Sequence, residues 1–309
     1  MNQRIIDPVD IALLEAELTP ECFLRHANKG GNDLYVVDPR TAPNVMREVG
    51  RLREIAFRLA GGGTGKECDI DEFDTMEPPC LQLVVWSPKE KMILGGYRFI
   101  IGPDIRLNEN GQPRLATSHM FKFSQKFIEE LMPATMELGR SFVRPDYQSS
   151  RAGAKALYVL DNLWDGLGAL TVKYPCMKYL FGKVTMYPSY SAECRNLILY
   201  FLHKHFHDND NLVTPIHPLD TGIDEEAMKR LFVGESFKDD YKILNTEVRN
   251  RGLNIPPLVN AYMSLSPTMR MFGTAINDEF GDVEESGIFI AVDDIFEEKK
   301  QRHISTYIP

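Results

Sequence analysis

Strand-like runs joined first by a tight turn and then by a helix limit the folds open to this chain. LQLVVW (81–86) and MILGGYRFII (92–101) flank the polar turn SPKEK, a spacing that predicts an antiparallel hairpin. MELGRSFV (136–143), a helical pattern over 156–170 and YLFGKVTM (179–186) follow in the order strand, helix, strand. We therefore predict an α/β mixed (α+β) fold, with a central mixed sheet flanked by helices on both faces rather than a purely parallel doubly wound sheet.

The segments outside this core predict one domain with an extension and an insertion. Apolar residues recur at helical spacing over 45–59, and the run AGGGTG ends that helix with glycine. Residues 1–43 carry a short helical pattern and the strand-like DLYVV, and we predict that they form an N-terminal extension packed on the core. We predict that residues 44–309 form the domain, with a late strand at 286–292 and a helical, polar insertion at about 207–250.

Composition and charge argue against several classes of protein. The 309 residues include 44 acidic and 35 basic side chains, a net charge of −9, so the overall field repels nucleic acids and anionic lipid. The five cysteines are scattered without a CxxC pair, which disfavours a disulfide framework or a zinc knuckle. The first residues lack a signal-peptide pattern, and no apolar run approaches the roughly 20 residues that span a bilayer. We expect a cytoplasmic protein with no nucleic-acid partner and no metal site.

Two motifs suggest chemistry that their context does not support. The run GGGTGK (61–66) is similar to a phosphate-binding loop, but Ala60 replaces its first glycine, Glu67 replaces its Ser or Thr, and the loop follows a helix instead of a strand. His203, His205 and His207 alternate, which suits a metal only on extended backbone, whereas the preceding apolar spacing predicts a helix. We interpret the first motif as a loop and the second as the polar end of a helix.

Charged residues inside strand-like sequence are the anomaly of this chain. Arg98 lies in an apolar run, and Glu137 and Arg140 point to opposite faces of a strand unless a bulge intervenes. Buried charges need partners. One interpretation is a structural ion-pair network, and the other is a catalytic site. The residues of this network are Arg53, Asp71, Asp74, Arg98, Glu137 and Arg140.

Small and basic residues open the helix that follows this strand. The segment 148–154 reads QSSRAGA, and the free N–H groups at a helix start favour an anion. A phosphate there would meet amide donors together with Arg151 or Lys155. The alternative interpretation is an ordinary helix cap.

These residues together resemble the GNAT-like N-acyltransferases, in the branch that contains ornithine-lipid and glycine-lipid synthases and proteins labelled haemolysins. Acyl-homoserine-lactone synthases are a more distant relative. The resemblance is clearest over about residues 46–200 and returns near Pro256 and at the terminal SGIFIAVDD. The matching elements are the LR…F helix with Arg53 and Phe57, the acidic pair Asp71 and Asp74, the strand arginine Arg98, and the E-x-x-R of Glu137 and Arg140.

The resemblance implies a GNAT-like fold and transfer of a fatty acyl group, 3-hydroxylated in this branch, to the α-amine of a small amino acid such as glycine or ornithine. It implies an acyl-carrier-protein thioester or acyl-CoA as donor. The family's loop pattern Q/R-x-x-G-x-G/A becomes Gln148-x-x-Arg151-x-Gly153, and the lost glycine suits the single phosphate of a carrier protein's phosphopantetheine. Residues 140–183 carry a local charge of +4, to which an acidic carrier protein would dock; chance clustering on a solvated surface is the alternative.

The resemblance also implies roles for single residues. Direct attack of an amine on a thioester needs a general base, an oxyanion donor and a carboxylate clamp, but no covalent nucleophile. Glu137 is the candidate base, a backbone N–H within 138–141 the oxyanion donor, and Arg98 or Arg140 the clamp. Substrate-binding residues are Arg53, Phe57, Asp71 and Asp74; the donor phosphate would meet Gln148, Arg151, Gly153 and Lys155; and the acyl chain would meet Phe121, Phe123, Phe127, Trp164 and Leu167, unless these five are plain core.

Two rival functions stay open at this point. An autoinducer synthase shares the charged pattern but uses S-adenosylmethionine as acceptor, and the chain length and the GGGTGK loop disfavour it. A haemolysin would act by membrane binding alone. An amphiphilic product also predicts peripheral contact of the enzyme with the inner face of the membrane.

Overall fold

The computed structural model describes residues 2–148 and 154–308, with the backbone alone at 154–157. The strands are β1 (Phe23–His26), β2 (Asp33–Val37), β3 (Leu81–Ser87), β4 (Met92–Ile101), β5 (Phe121–Phe123), β6 (Thr135–Val143), β7 (Tyr179–Met186), β8 (Val213–Pro215), β9 (Arg270–Asn277) and β10 (Val283–Ala291). The helices are α1 (Ile11–Glu17), α2 (Pro43–Ala60), α3 (Glu72–Thr75), α4 (Ala154–Lys173), α5 (Ala192–Phe206), α6 (Glu225–Leu231), α7 (Phe237–Asn250), α8 (Pro257–Met263) and α9 (Glu297–His303).

One large sheet carries the fold, with strand order β1-β2-β3-β4-β6-β7-β10-β9. The β6–β7 pair is parallel, and the other neighbours in this sheet are antiparallel. The strands β6 and β7 are joined across α4, as a parallel connection requires. The predicted mixed sheet is therefore confirmed, with α4 as its crossover.

The parallel pair separates soon after it forms. β6 and β7 are in register over Thr135–Glu137 and Tyr179–Phe181 alone, although both strands continue beyond this point. Backbone groups that face the gap therefore lack a ladder partner from the opposite strand. We call this gap between β6 and β7, in the middle of the sheet, the cleft.

Helices cover both faces of the sheet because each presents an apolar side to it. On one face, α2 packs against strand residues such as Val84 and Phe142. α2 begins with Pro43 in its first turn and ends at Gly61, whose φ of 97° is the left-handed conformation that favours glycine. On the other face, α4 packs through residues such as Leu163 against Leu83 and other core residues of the sheet.

The first and last segments close the α4 side. β1 and β2 extend the main sheet at its edge. Asp165 of α4 accepts a hydrogen bond from the Asn28 backbone at 2.9 Å and pairs with Nδ1 of His303 in α9 at 2.7 Å. Since Asp165 is fully buried, this contact ties both chain ends to the crossover helix.

Residues 207–250 contain β8, α6 and α7. β8 pairs with β5 in a separate two-stranded sheet. α7 packs on α5, where Asp240 lies 2.6 Å from the Lys204 ammonium and 2.8 Å from Nε2 of His205. Phe127–Leu131 forms a π-helical turn. In the part of the chain that the structure describes, no helix is long and apolar enough to cross a membrane.

Candidate active site

A buried cluster of arginines and aspartates lies beside the cleft. Arg53 of α2 is completely buried, with Nη1 3.2 Å from Asp74 Oδ2, and its Nη2 donates to Gln82. Arg98 of β4 reaches the same carboxylate oxygen at 3.3 Å. Gln82 donates to the other oxygen of Asp74 at 3.1 Å. Asp74 therefore fixes Arg53 and Arg98 relative to each other.

Asp71 links Arg98 to Arg140. Its carboxylate lies 2.6 Å from Arg98 Nη1 and 3.3 Å from Arg140 Nη2. Asp69 lies 3.0 Å from Arg140 Nε. Burial would raise the pKa of Asp71, but the guanidinium charges of Arg98 and Arg140 outweigh burial and hold that pKa well below its usual range. Asp71 is therefore an anion at neutral pH, between two fixed cations.

The start of α3 aims both acidic side chains. Asp71 is the N-cap and accepts from the Phe73 backbone at 2.9 Å, while Asp74 accepts from the Asp71 backbone at 3.2 Å. This reciprocal arrangement is a capping box, which fixes the side chains at positions N-cap and N3. The three-residue spacing of the acidic pair thus has a local structural cause.

A bulge in β6 brings Arg140 to the same cluster. The β4–β6 register advances by two residues on β4 and three on β6 between the pairs Gly96–Phe142 and Arg98–Gly139, and Arg140 has a φ of 49°. The Arg140 guanidinium lies 4.5 Å from the centre of the Phe280 ring. Phe57 packs edge-on against Phe280 at 5.0 Å. Phe57 therefore supports Arg140 indirectly.

Glu137 lies apart from the arginines. Among the described residues it forms no ion pair within 4 Å, and it accepts a hydrogen bond from Thr117 Oγ1 at 3.0 Å. Its side chain is buried. Burial raises the pKa of Glu137, although the charge of Arg98 opposes the effect. The interpretation of one ion-pair network that includes Glu137 is therefore wrong. The network contains Asp69 and the uncharged Gln82, and Glu137 lies outside it.

A second buried ion pair lies across the cleft and was not predicted. Lys183 of β7 pairs with Glu285 of β10. Glu285 also accepts from Thr185 Oγ1 and from Asn277 Nδ2, both at 2.9 Å. Burial lowers the pKa of Lys183, while the charge of Glu285 acts against that shift. A lone lysine within the apolar run YLFGKVTM was the available signal, of the same kind that singled out Arg98.

The space between these groups is open at Gly139. In the sheet, Gly139 lies opposite Arg98, and a Cβ on Gly139 would meet nothing within 4 Å. Glu137, two residues earlier on the same strand, projects to the same face. The cleft thus combines a void, a buried carboxyl group and cations on both sides.

The predicted phosphate site is described in part. Gln148 is exposed, and its Nε2 donates to the Val143 carbonyl at 2.5 Å. Arg151 and Gly153 lie outside the described residues, as does the side chain of Lys155.

The five predicted acyl-chain walls lie in two packed regions. Phe121, Phe123 and Phe127 are fully buried in an aromatic cluster with rings from β7, β9 and β10. Leu167 is buried on α4, where Trp164 packs edge-on against Tyr262 at 5.8 Å. For the three phenylalanines the plain-core interpretation fits this packing.

The remaining motifs have structural partners or lie elsewhere. The Glu54 carboxylate accepts from the Thr64 and Gly65 backbone at 3.1 and 2.8 Å, so the glycine-rich loop wraps an internal anion. His203 and His207 lie one turn apart at the end of α5, with ring centres separated by 4.4 Å. They line a cavity of about 790 Å³ between α5, β8 and β9, which none of the predicted site residues within the described ranges lines.

The fold is a mixed sheet with a splayed parallel pair, covered by helices on both faces, and a buried carboxyl group lies at the splay. The model of the acetyltransferase (GNAT) domain family matches residues 52–157. The chain is 64% identical over 306 residues to glycine N(alpha)-acyltransferase from Bacteroides thetaiotaomicron, covering 99% of this chain and 91% of the relative.

Two further relatives agree with this match. A glycine N(alpha)-acyltransferase from Phocaeicola vulgatus is 60% identical over 99% of this chain and 94% of the relative. An L-ornithine N(alpha)-acyltransferase from Brucella abortus is 25% identical over 77% of this chain and 74% of the relative. The chain belongs to the GNAT-type N-acyltransferase family and is an acyltransferase, which confirms the resemblance and the fold class expected from the sequence.

Proposed function

We propose that this enzyme transfers a 3-hydroxy fatty acyl group from an acyl-carrier-protein thioester to the α-amine of a small amino acid. Glycine is the first candidate, because two relatives at 64% and 60% identity over nearly the whole chain carry that name. Ornithine is the second, after the more distant relative. The observation that carries the mechanism is the buried Glu137 beside an open, charge-lined cleft.

Glu137 is the general base in this proposal. It takes a proton from the acceptor's ammonium, directly or through a water molecule, and the amine lone pair then attacks the thioester carbonyl carbon. The tetrahedral oxyanion collapses and the C–S bond breaks; the attacking nitrogen releases its second proton, and the leaving thiolate takes up that proton. A backbone N–H of residues 138–141 binds the oxyanion, since β6 has left its ladder with β7 there. A pKa raised by burial suits a base that operates near neutral pH.

The arginine cluster prepares the site for the acceptor. Arg98 and Arg140 supply positive potential for its carboxylate, and Asp71 keeps both guanidinium groups in place. Arg53 and Asp74 are completely buried, so we assign them positioning roles behind Arg98. We assign Phe57 a positioning role behind Arg140, because it contacts the Phe280 ring on which the Arg140 guanidinium lies.

In this proposal the phosphate of the acyl donor lies at the start of α4. Gln148, Arg151, Gly153 and Lys155 would hold the phosphate of the phosphopantetheine there. Arg140 and Lys183 are buried in ion pairs and do not contribute to the basic surface. Lys173 and Lys178 are exposed, but Lys173 is the last residue of the 20-residue helix α4, roughly 28 Å from its start. We therefore propose that an acidic carrier protein docks around the start of α4 without these two lysines.

The proposed function also implies a domain organisation and a cellular location for this enzyme. Residues 44–309 form the acyltransferase domain, with 1–43 as an extension and 207–250 as an insertion. The enzyme works in the cytoplasm, without a metal and without a nucleic-acid partner. It meets the inner face of the membrane, where its amphiphilic product accumulates for lipid biosynthesis.

Transfer assays with purified protein test the proposal. We expect 3-hydroxyacyl carrier protein and glycine to give an N-acyl glycine, and Glu137→Gln to lower the rate by ~100-fold or more without loss of folding. Glu48→Gln is the matched control, since Glu48 is also buried but pairs with Arg51 on α2. Full activity of well-folded Glu137→Gln would remove Glu137 from the base role.

The same assays separate the rivals. Lactone formation from S-adenosylmethionine would favour an autoinducer synthase, and cell lysis by lipid-free protein would favour a haemolysin. Replacement of the carrier protein by coenzyme A tests the donor, and equal rates would refute a carrier-protein requirement.

A further inference from the structure

Lys183 is a buried cation for which neither the sequence motifs nor the proposed mechanism has a use. Its side chain is 10% exposed and pairs with Glu285, which is 3% exposed. Burial would raise the pKa of Glu285, but Lys183 and the hydrogen bonds from Asn277 and Thr185 outweigh burial and hold that pKa below its usual value. Three donors thus satisfy this carboxylate. A lysine ammonium has three protons, and Glu285 is the one acceptor found for them among the described residues.

The strand register places Lys183 beside the void. Glu137 pairs with Phe181 at the end of the β6–β7 ladder. Two residues further along each strand, Gly139 and Lys183 are therefore level with each other and on the same face as Glu137. Lys183 pairs with Gly287 on its other side. Gly139 itself has no side chain that would separate Lys183 from this open space.

We propose that Lys183, anchored by Glu285, binds the carboxylate of the amino-acid acceptor in the space beside Gly139. This inference rests on the proposed function and adds to it the residue that restricts the acceptor to free α-amino acids. A lysine–carboxylate contact in a buried cleft is a strong charge-assisted hydrogen bond. Arg98, on the far side of Gly139, adds its potential while Asp71 and Asp74 occupy its Nη1.

The dimensions of an α-amino acid fit this placement. Residues 137 and 139 are separated by roughly 7 Å along an extended strand. In glycine a single carbon separates the carboxylate from the amine. With the carboxylate held level with Lys183, the amine has room to point toward Glu137, where the mechanism needs a proton acceptor.

The alternative role for Lys183 is to stabilise the charged form of Glu137 through its own charge. That role would alter the rate with every amine and shift its dependence on pH. Recognition of a carboxylate instead alters the preference between glycine and glycinamide, which differ in that group. The ratio of the two kcat/KM values therefore separates the two roles.

The test compares wild type, Lys183→Met and Lys183→Arg with each acceptor at saturating acyl donor. We expect Lys183→Met to lower kcat/KM for glycine by ~100-fold, mainly through KM. We expect its kcat/KM for glycinamide to change by less than about threefold, because that acceptor has no carboxylate to lose. Lys183→Arg retains the cation and should keep most of the preference for glycine.

The neighbouring ion pair provides the matched control. Glu284 is adjacent to Glu285 on β10, and it pairs with Arg195 of α5. Glu284→Gln removes one partner of this neighbouring pair, and we expect it to keep the glycine preference. Lys183→Gln replaces Lys183→Met in the comparison where the Met variant does not fold. An undiminished preference for glycine in either folded variant overturns this inference but not the proposed function. Failure of the wild type to acylate any amino acid overturns the proposed function, and the inference with it.

Discussion

Gly139→Ala separates the role of the cleft from the stability of the fold. A Cβ at this position would meet nothing within 4 Å, and the backbone there is not left-handed. Exchange of glycine for alanine at a compatible site stabilises a protein by about 0.4–1 kcal/mol, because the unfolded chain loses freedom. The variant should therefore be at least as stable as the wild type.

Activity should move in the opposite direction. In the proposed mechanism the new methyl group occupies the space between Glu137 and Lys183 that the acceptor needs. One extra methyl group in a substrate pocket costs about 1–3 kcal/mol, which corresponds to a loss of roughly 10–200-fold in kcat/KM. Gly139→Val should lose more, because it adds two further methyl groups to the same space.

Urea unfolding and transfer kinetics on the same preparations test both statements. Gly182→Ala is the contrasting variant, since its Cβ would lie 2.9 Å from the Leu138 carbonyl oxygen and should destabilise the protein by about 1–3 kcal/mol. Undiminished activity in Gly139→Ala would show that the acceptor does not use this space. Loss of stability in Gly139→Ala would show that the space is not open.

Two further predictions concern the arginine cluster. Arg53→Met should lower the free energy of unfolding by about 3–5 kcal/mol, because it removes one partner of a fully buried pair, whereas Arg40→Met on the exposed surface should hardly change it; equal effects in urea unfolding would contradict this. The folded pKa of Asp71 lies below its ordinary value of 3.8, so its stabilising effect is present at neutral pH and lost as pH falls through the folded pKa. The stability deficit of Asp71→Asn should therefore be largest near pH 7 and shrink below pH 4, and a deficit independent of pH would refute the assigned cause.

Local sequence patterns predicted the central elements well. The run YLFGKVTM and the strand Tyr179–Met186 coincide, and the predicted hairpin is found as β3 and β4. The ends of these strands were predicted from residues that are neighbours in sequence. β1, β5 and β8 contain three or four residues each, too few to show a period, and they were missed.

The site was predicted as a set of residues but not as a set of partners. Arg53, Arg98 and Arg140 do meet aspartates, yet Asp69 was missed and Glu137 was wrongly placed in the network. The partner of a buried charge is decided by strand order and by the bulge in β6, which no local pattern encodes. Lys183 and Glu285 are 102 residues apart, and the β7–β10 ladder brings them together.

Asp71 and Glu137 show how one site gives two carboxyl groups opposite properties. Both are largely buried, but Asp71 touches two guanidinium groups and its pKa falls, whereas burial outweighs the charge of Arg98 and the hydrogen bond from Thr117 at Glu137, and its pKa rises. A carboxylate whose pKa is lowered by arginines is a poor proton acceptor, while a carboxylate whose pKa is raised is a better base. In the proposed mechanism, the separation of Glu137 from the arginine cluster is therefore what fits it to accept the proton of the acceptor's ammonium, and Asp71 is suited to hold the arginines in place.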